Sequence, residues 1–144
     1  MPDIANNYAL RAMINPAVVN VTTTSASVDL QLFRASEFIA YIGTPGVTLS
    51  ASILIDFVLQ ESDNNTTFTT VADADMYSTA LPVANAGIFA RIDANTKASR
   101  VYGIGYRGSR RYVRVVATYT GTHTVGTPIA VLATLGFASF APVV

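Results

Sequence analysis

The stretch Gly103–Thr120, GIGYRGSRRYVRVVATYT, decides the fold class of this chain of 144 residues. Its second half alternates with a period of two and is rich in β-branched and aromatic residues, which is typical of a half-buried strand. We expect one set of alternate side chains to face a core and the other set to face water or a partner. The inward set is Val113, Val115 and Ala117, and the outward set begins with Tyr112 and Arg114.

The same alternation, followed outward from this stretch, predicts further short strands separated by turn residues and no long helix. The predicted strands cover residues 17–23, 27–33, 36–43, 52–61, 68–71, 87–92, 100–106 and 128–137. One helical turn is expected at residues 72–76 and a loop at 81–86. The pattern favours an all-β fold, namely an antiparallel β-sandwich of jelly-roll-like form, with an immunoglobulin-like sandwich as the alternative.

The first sixteen residues differ from the rest because they show no clear period. They could form a helical turn or two that Asn15-Pro16 ends, since the residue before a proline avoids the helical region. We expect them to be an arm, either packed on a neighbouring subunit or frayed. The predicted organisation is therefore an N-terminal arm, residues 1–16, followed by a single β-sandwich domain, residues 17–144.

The composition points to a protein that associates. Charged residues make up 12% of the chain, about half the usual quarter, and hydrophobic residues make up 51%. A chain so poor in charge is expected to expose apolar surface, and large apolar patches mark association sites. The composition thus favours an assembly subunit, with a tightly packed β protein coated in Thr and Ser as the alternative.

The net charge of zero conceals an uneven distribution along the chain. Residues 1–93 carry nine acids and three cations, a balance of −6, whereas residues 94–144 carry six cations and no acids, a balance of +6. Five of those six cations are arginines, whose planar fork suits carboxylates and phosphates. The candidate interface residues are Tyr106, Arg107, Arg110, Arg111, Tyr112 and Arg114.

Three partners are open for these arginines. A protein surface that bears carboxylates is the first, and nucleic acid is the second, although a nucleic-acid-binding domain usually has a net basic balance. The third is the chain's own excess of acids. We expect no direct nucleic-acid contact and no membrane partner, since no apolar run reaches the ~20 residues of a membrane helix and the N-terminus lacks the features of a signal peptide.

The patterns that could carry catalysis or bind a cofactor lack the context they need. Gly103–Gly108 matches G-x-G-x-x-G, but a β-rich run follows it instead of the helix that a dinucleotide site requires, so we expect these glycines to permit a bend between strands. His123 is the single histidine and there is no cysteine, which removes the usual zinc ligand sets, and we expect His123 to be a solvated loop residue. No G-x-S-x-G motif occurs. We therefore expect no enzyme activity, no cofactor and no metal.

Two segments resemble structural proteins of tailed bacteriophages. They are residues 104–116, IGYRGSRRYVRVV, and residues 58–69, VLQESDNNTTFT, in which a strand and a Glu-Ser-Asp turn precede a second strand. In both segments and in their spacing, the chain is similar to the capsid decoration or cement proteins of these phages. The resemblance implies a small β-sandwich or jelly-roll that forms a homodimer or homotrimer, carries no catalytic residue and binds the outside of an icosahedral shell made by a major capsid protein of the HK97-like fold.

The function expected from this resemblance is structural: the protein would stabilise the shell by bridging major capsid protein subunits. It would be located on the capsid exterior of the virion after assembly in the host cytoplasm. A head-completion or tail-associated phage protein, present in few copies, is one alternative. A carbohydrate-binding β-sandwich module is another, although the chain has no tryptophan and few carboxylates.

Overall fold

The computed structural model describes residues 6–77 and 86–139. Within these ranges the chain forms β-strands and two single turns of 3-10 helix, but no α-helix. The strands are β1 (Tyr8–Val19), β2 (Thr23–Thr24), β3 (Val28–Asp29), β4 (Ala35–Ile42), β5 (Leu54–Ser62), β6 (Thr69–Thr70), β7 (Met76–Tyr77), β8 (Ile88–Ile92), β9 (Arg100–Tyr106), β10 (Tyr112–Thr120) and β11 (Thr127–Gly136). The helical turns cover Asp73–Asp75 and Asn95–Lys97.

These strands form two antiparallel sheets. The five-stranded sheet has the order β1-β11-β4-β9-β7. The six-stranded sheet has the order β2-β10-β5-β6, with β3 also paired to β10 and β8 also paired to β5. Because neighbours such as β11 and β4 are distant in sequence, the chain crosses repeatedly between the sheets. The result is the jelly-roll-like, all-β sandwich that the sequence predicts.

The core lies between the inner faces of the two sheets. Val113, Val115 and Ala117 are fully buried, which confirms the inward set predicted for β10. The rings of Phe57 on β5 and Phe89 on β8 pack at 6.1 Å between centroids, within the range of favourable aromatic pairs. The other strands supply a continuous layer of side chains that includes Phe38, Ile42, Leu59, Ile104, Ile129, Val131 and Leu135.

Most predicted elements agree with the structure to within a residue or two. The strands predicted at 36–43, 52–61, 100–106 and 128–137 are β4, β5, β9 and β11, and the helical turn predicted at 72–76 is Asp73–Asp75. The short strands β6 and β8 lie inside the predicted 68–71 and 87–92. The loop expected at 81–86 lies outside the described residues except for its last position.

The N-terminal segment corrects one prediction. Residues 8–19 form a single strand, β1, paired with β11, so the expected helical turn is wrong and the boundary after residue 16 falls inside a strand. Register shifts occur between Ala12 and Ile14 and again between Ile14 and Ala17. The second shift includes Pro16, which cannot donate to a ladder and is tolerated in an edge strand or at a bulge. These bulges destroy the period of two that would have revealed the strand.

The strand predicted at 27–33 is also largely wrong, because only Val28–Asp29 pairs with β10. The Asp29 side chain accepts a hydrogen bond from the Gln31 amide at 2.9 Å, which forms an Asx turn. Leu32 then has a positive φ of 78°. The chain therefore turns where the apolar alternation suggested that it continues, and this turn forms one wall of the site described next.

Candidate functional site: an arginine-lined groove

An open groove of about 700 Å³ lies at one end of the sandwich, where β4 begins, β9 ends and β10 begins. One wall is the segment 30–36, and the other is the end of β9 with the turn that follows it. We call it the arginine groove, because its lining among the described residues includes four arginines and no acid. Its lining comprises Leu30, Gln31, Phe33, Arg34, Ala35, Ser36, Tyr77, Gly105, Tyr106, Arg107, Gly108, Ser109, Arg110 and Arg111.

Tyr106 holds the turn that forms the second wall. Its hydroxyl donates to Glu61 Oε2 at 2.6 Å and accepts from the Arg110 amide at 3.0 Å. A Cβ on Gly108 would lie 2.4 Å from that hydroxyl, so only glycine fits beneath the ring. Burial, together with the hydrogen bond to Glu61, raises the pKa of Tyr106 well above its usual value. The phenol therefore remains a donor at any physiological pH.

Burial of Tyr106 contradicts the prediction that this side chain points outward for contacts. It is 7% exposed, and its side chain belongs to the core. The reason is strand parity: Tyr106 follows Ile104 at the inward position of β9. Tyr106 thus positions the groove instead of presenting itself to a partner. The contact role predicted for the remaining five residues stays a prediction.

Two of the predicted arginines pair with acids from the first half of the chain. Arg111 forms a bidentate pair with Asp29, with Nε and Nη2 at 2.9 and 2.6 Å from the carboxylate oxygens. This hydrogen-bonded guanidinium holds the pKa of Asp29 below its usual value. Arg110 pairs with Asp63 of the Glu-Ser-Asp turn. Intramolecular pairing, one of the three partners left open by the sequence, thus applies to these two side chains.

Arg107 and Arg34 line the groove without a carboxylate partner among the described residues. Arg107 Nε donates to the Ala74 carbonyl at 2.9 Å, and its guanidinium lies 5.9 Å from the Tyr77 ring centroid. The Arg34 side chain forms no hydrogen bond or ion pair within residues 6–77 and 86–139. The groove therefore holds two guanidinium groups that form no ion pair with an acid of the described ranges.

Tyr112 and Arg114 lie away from the groove, on the outer face of the six-stranded sheet, as the alternation predicts. Arg114 donates to Gln60 Oε1 at 2.8 Å and stacks 3.9 Å over the Phe68 ring. The Tyr112 ring lies 5.0 Å from the Arg111 guanidinium. The six predicted residues therefore divide between two places: four line the groove and two lie on the sheet.

Arg34 is the groove-lining arginine that the sequence patterns miss. It lies between two predicted strands, and nothing local distinguishes it from other cations. Only the turn at Leu32, which brings the segment 30–36 opposite Arg107, places it in the groove. Asp29 is a weak sequence signal for this turn, because an Asp side chain can accept a hydrogen bond from the backbone amide two residues later.

The other patterns noted in the sequence have structural roles. Gly103 and Gly105 lie within β9, so the predicted bend involves Gly108 alone. His123 was expected to be solvated, but it is buried: its ring packs 4.8 Å from Tyr119, and Nε2 lies 3.0 Å from the Thr120 carbonyl oxygen. Within the described ranges no three His, Cys, Asp or Glu side chains form a group that could hold a metal ion. None of the helices there is long and apolar enough to cross a membrane.

The fold and the groove define an all-β, two-sheet protein with a cationic recess at one end. Neither a family model nor a curated protein matches the chain. Among solved structures, the chain is similar to one titled "Structure of infectious bursal disease virus Gt strain", with a TM-score of 0.25 and 10% identity over 97% of this chain. The match spans 39% of that longer chain. At this TM-score the similarity supports no argument about function.

Proposed function

We propose that the protein is a structural virion protein that binds the outer surface of an icosahedral phage capsid and stabilises it by bridging major capsid protein subunits. The observation that carries this proposal is the arginine groove, a recess with two guanidinium groups that form no ion pair with an acid of the described residues. Such a recess suits a carboxylate-bearing loop of another protein, because arginine forms bidentate hydrogen bonds with carboxylates. Binding to the assembled shell stabilises that shell by mass action.

The two segments that resemble phage cement proteins support this proposal because they form one unit in space. Residues 58–69 supply the second half of β5 and its turn, and residues 104–116 supply the end of β9, the groove turn and the start of β10. Tyr112 on β10 is in register with Ser62 on β5. The Tyr106–Glu61 and Arg110–Asp63 contacts join the same two segments. The segment 104–116 thus forms the second wall of the groove, and the segment 58–69 holds that wall in place from behind.

The proposal is tested by binding the purified protein to shells that lack it. Changing Arg34 and Arg107 together to Ala removes the two free charges, and we expect the dissociation constant to rise at least about tenfold, since losing one partner of a desolvated charge pair costs more than 1.4 kcal/mol. The matched control is Arg100→Ala, because Arg100 is exposed and lies at the opposite end of β9. Equal binding by the double variant and the wild type refutes the role of the groove.

A second measurement separates the proposed role from a head-completion or tail-associated role. A protein that coats the shell is present in numbers comparable to the major capsid protein, whereas a completion protein is present in few copies. Quantitative mass spectrometry of purified virions gives this ratio. A ratio of a few copies per particle contradicts the proposal.

A further inference from the structure

The outer face of the five-stranded sheet is apolar and exposed across four strands. Leu132 on β11, Ile39 on β4 and Gly103 on β9 lie in one cross-strand row. The next row joins Ala130, Tyr41 and Val101. Leu132, Tyr41 and Val101 are exposed by 37%, 48% and 62%. We call this surface, together with Leu10 and Ala12 of β1, the apolar face.

The outer face of the six-stranded sheet is different because its side chains satisfy one another. Arg91 on β8 forms a bidentate pair with Asp56 on β5, both contacts at 2.8 Å. Arg114 bonds to Gln60 and covers Phe68. The polar side chains of that face pair with one another and can face water, whereas the apolar face exposes side chains of the kind that normally pack against another layer.

The size of the apolar face is of the order of one side of a stable protein interface. Its four long strands span about 19 Å at ~4.8 Å per strand, and the eight residues of β4 span about 27 Å. The flat area is therefore about 500 Å², compared with the ~800 Å² that each partner of a standard interface buries.

Glu37 and Tyr41 identify what covers this face. They lie on β4 on either side of Ile39, both are exposed, and neither side chain has a partner among the described residues. Among the described residues of the face, Glu37 is the one with a charged side chain. Its Oε1 lies 2.7 Å from the position a Cβ would take on Gly103, so glycine leaves room for it. The face thus carries the Glu37 carboxylate as an acceptor two residues before Ile39 and the Tyr41 hydroxyl as a donor two residues after it.

We propose that the apolar face binds a second copy of this chain, face to face. The two copies are related by a two-fold axis that lies in the plane between their apolar faces, runs perpendicular to β4 and passes over Ile39. This axis reverses direction along the strand, so Glu37 of each copy faces Tyr41 of the other and accepts a hydrogen bond from its hydroxyl. Ile39 faces its own equivalent. An axis parallel to β4 is disfavoured because it brings the two Glu37 carboxylates together, and like charges across an interface are costly.

Self-association about this axis has a geometric consequence. The arginine groove lies at the start of β4, so the reversal of strand direction places the two grooves of the pair at opposite ends. If the proposed function is correct, the pair engages two shell subunits at once. The association itself does not depend on that function and is tested without any capsid.

Sedimentation velocity on the purified full chain tests the pairing. The wild type at micromolar concentration should sediment as a dimer of about twice 15.2 kDa. Ile39→Lys places two ammonium groups against each other across the axis and should raise the dissociation constant at least about 100-fold, leaving a monomer. Thr24→Lys, on β2 and the opposite outer face, is the matched control and should remain dimeric. A monomeric wild type, or a dimer unaffected by Ile39→Lys, overturns the proposal.

Cross-linking tests the axis independently of any loss of folding. Because the chain contains no cysteine, an introduced cysteine is the single thiol that can react. Ile39→Cys should cross-link to itself with a short bis-maleimide. Glu37→Cys and Tyr41→Cys should cross-link when mixed but not singly, since each lies about 14 Å along the strand from its own equivalent. Cross-linking of Glu37→Cys alone contradicts the axis. If the chain is monomeric and Ile39→Lys weakens shell binding instead, the face contacts the shell and self-association is wrong.

Discussion

Replacing Tyr106 by Phe removes one oxygen atom and two hydrogen bonds from the wall of the groove. The Glu61 carboxylate loses a donor at 2.6 Å and the Arg110 amide loses an acceptor at 3.0 Å, and both of these hydrogen bonds are partly buried. A buried polar group left without its partner costs about 1–3 kcal/mol. The expected loss in the free energy of unfolding is therefore about 2 kcal/mol.

This loss converts to a measurable change in melting temperature. An unfolding entropy of about 2.1 cal/mol/K per residue gives about 0.3 kcal/mol/K for 144 residues, so the variant should melt about 7 °C below the wild type. Differential scanning calorimetry supplies the melting temperature, and urea unfolding supplies the free energy. Tyr102→Phe is the matched control, because the Tyr102 hydroxyl donates to the exposed Lys97 carbonyl, which water can satisfy. If both variants change the free energy by less than 0.5 kcal/mol, roughly the limit for surface substitutions, the Tyr106 hydroxyl does not hold the turn.

Three further predictions concern the same region. Gly108→Ala should destabilise the fold by about 1–3 kcal/mol, because its Cβ meets the Tyr106 ring at 2.4 to 2.6 Å; an unchanged urea midpoint contradicts this. Stability should fall as the pH drops below 3.8, since the pKa of Asp29 is lower in the folded than in the unfolded chain, and Asp29→Asn should reduce that pH dependence in urea titrations. Stability should also fall as the pH rises above 10.0, because burial raises the pKa of Tyr106, and that of Tyr119 to about 12, so that the unfolded chain ionises first. A stability that does not change from pH 9 to 11 contradicts the burial of the Tyr106 and Tyr119 hydroxyls.

Strands whose faces alternate without interruption could be predicted from the sequence. In β10 and β5 the alternation of residue types predicts which face of the sheet each side chain occupies, because successive side chains of a strand point to opposite faces. The same alternation assigns Tyr106 to the inner face, since it follows Ile104 by two positions. The prediction of an outward contact is wrong because it rests on the location of Tyr106 beside the arginines, and neighbours in sequence on a strand face opposite sides of the sheet.

The remaining features depend on contacts between distant residues. The bulges between Ala12 and Ala17 conceal β1. In the segment 27–33, a hydrogen bond that the Asp29 side chain accepts from the Gln31 amide competes with the ladder. Asp29 and Arg111 are separated by 82 positions, so no local pattern predicts their pairing. The sequence locates the cations, but only the fold determines which of them stay free.

The measurement that tests the central claim most directly is cryo-electron microscopy of intact virions that contain this chain. We expect sandwich-shaped density on the outside of the shell, with the arginine groove against a carboxylate-bearing loop of a capsid subunit. Density confined to the tail or portal, or a shell-bound sandwich whose groove faces solvent, contradicts it.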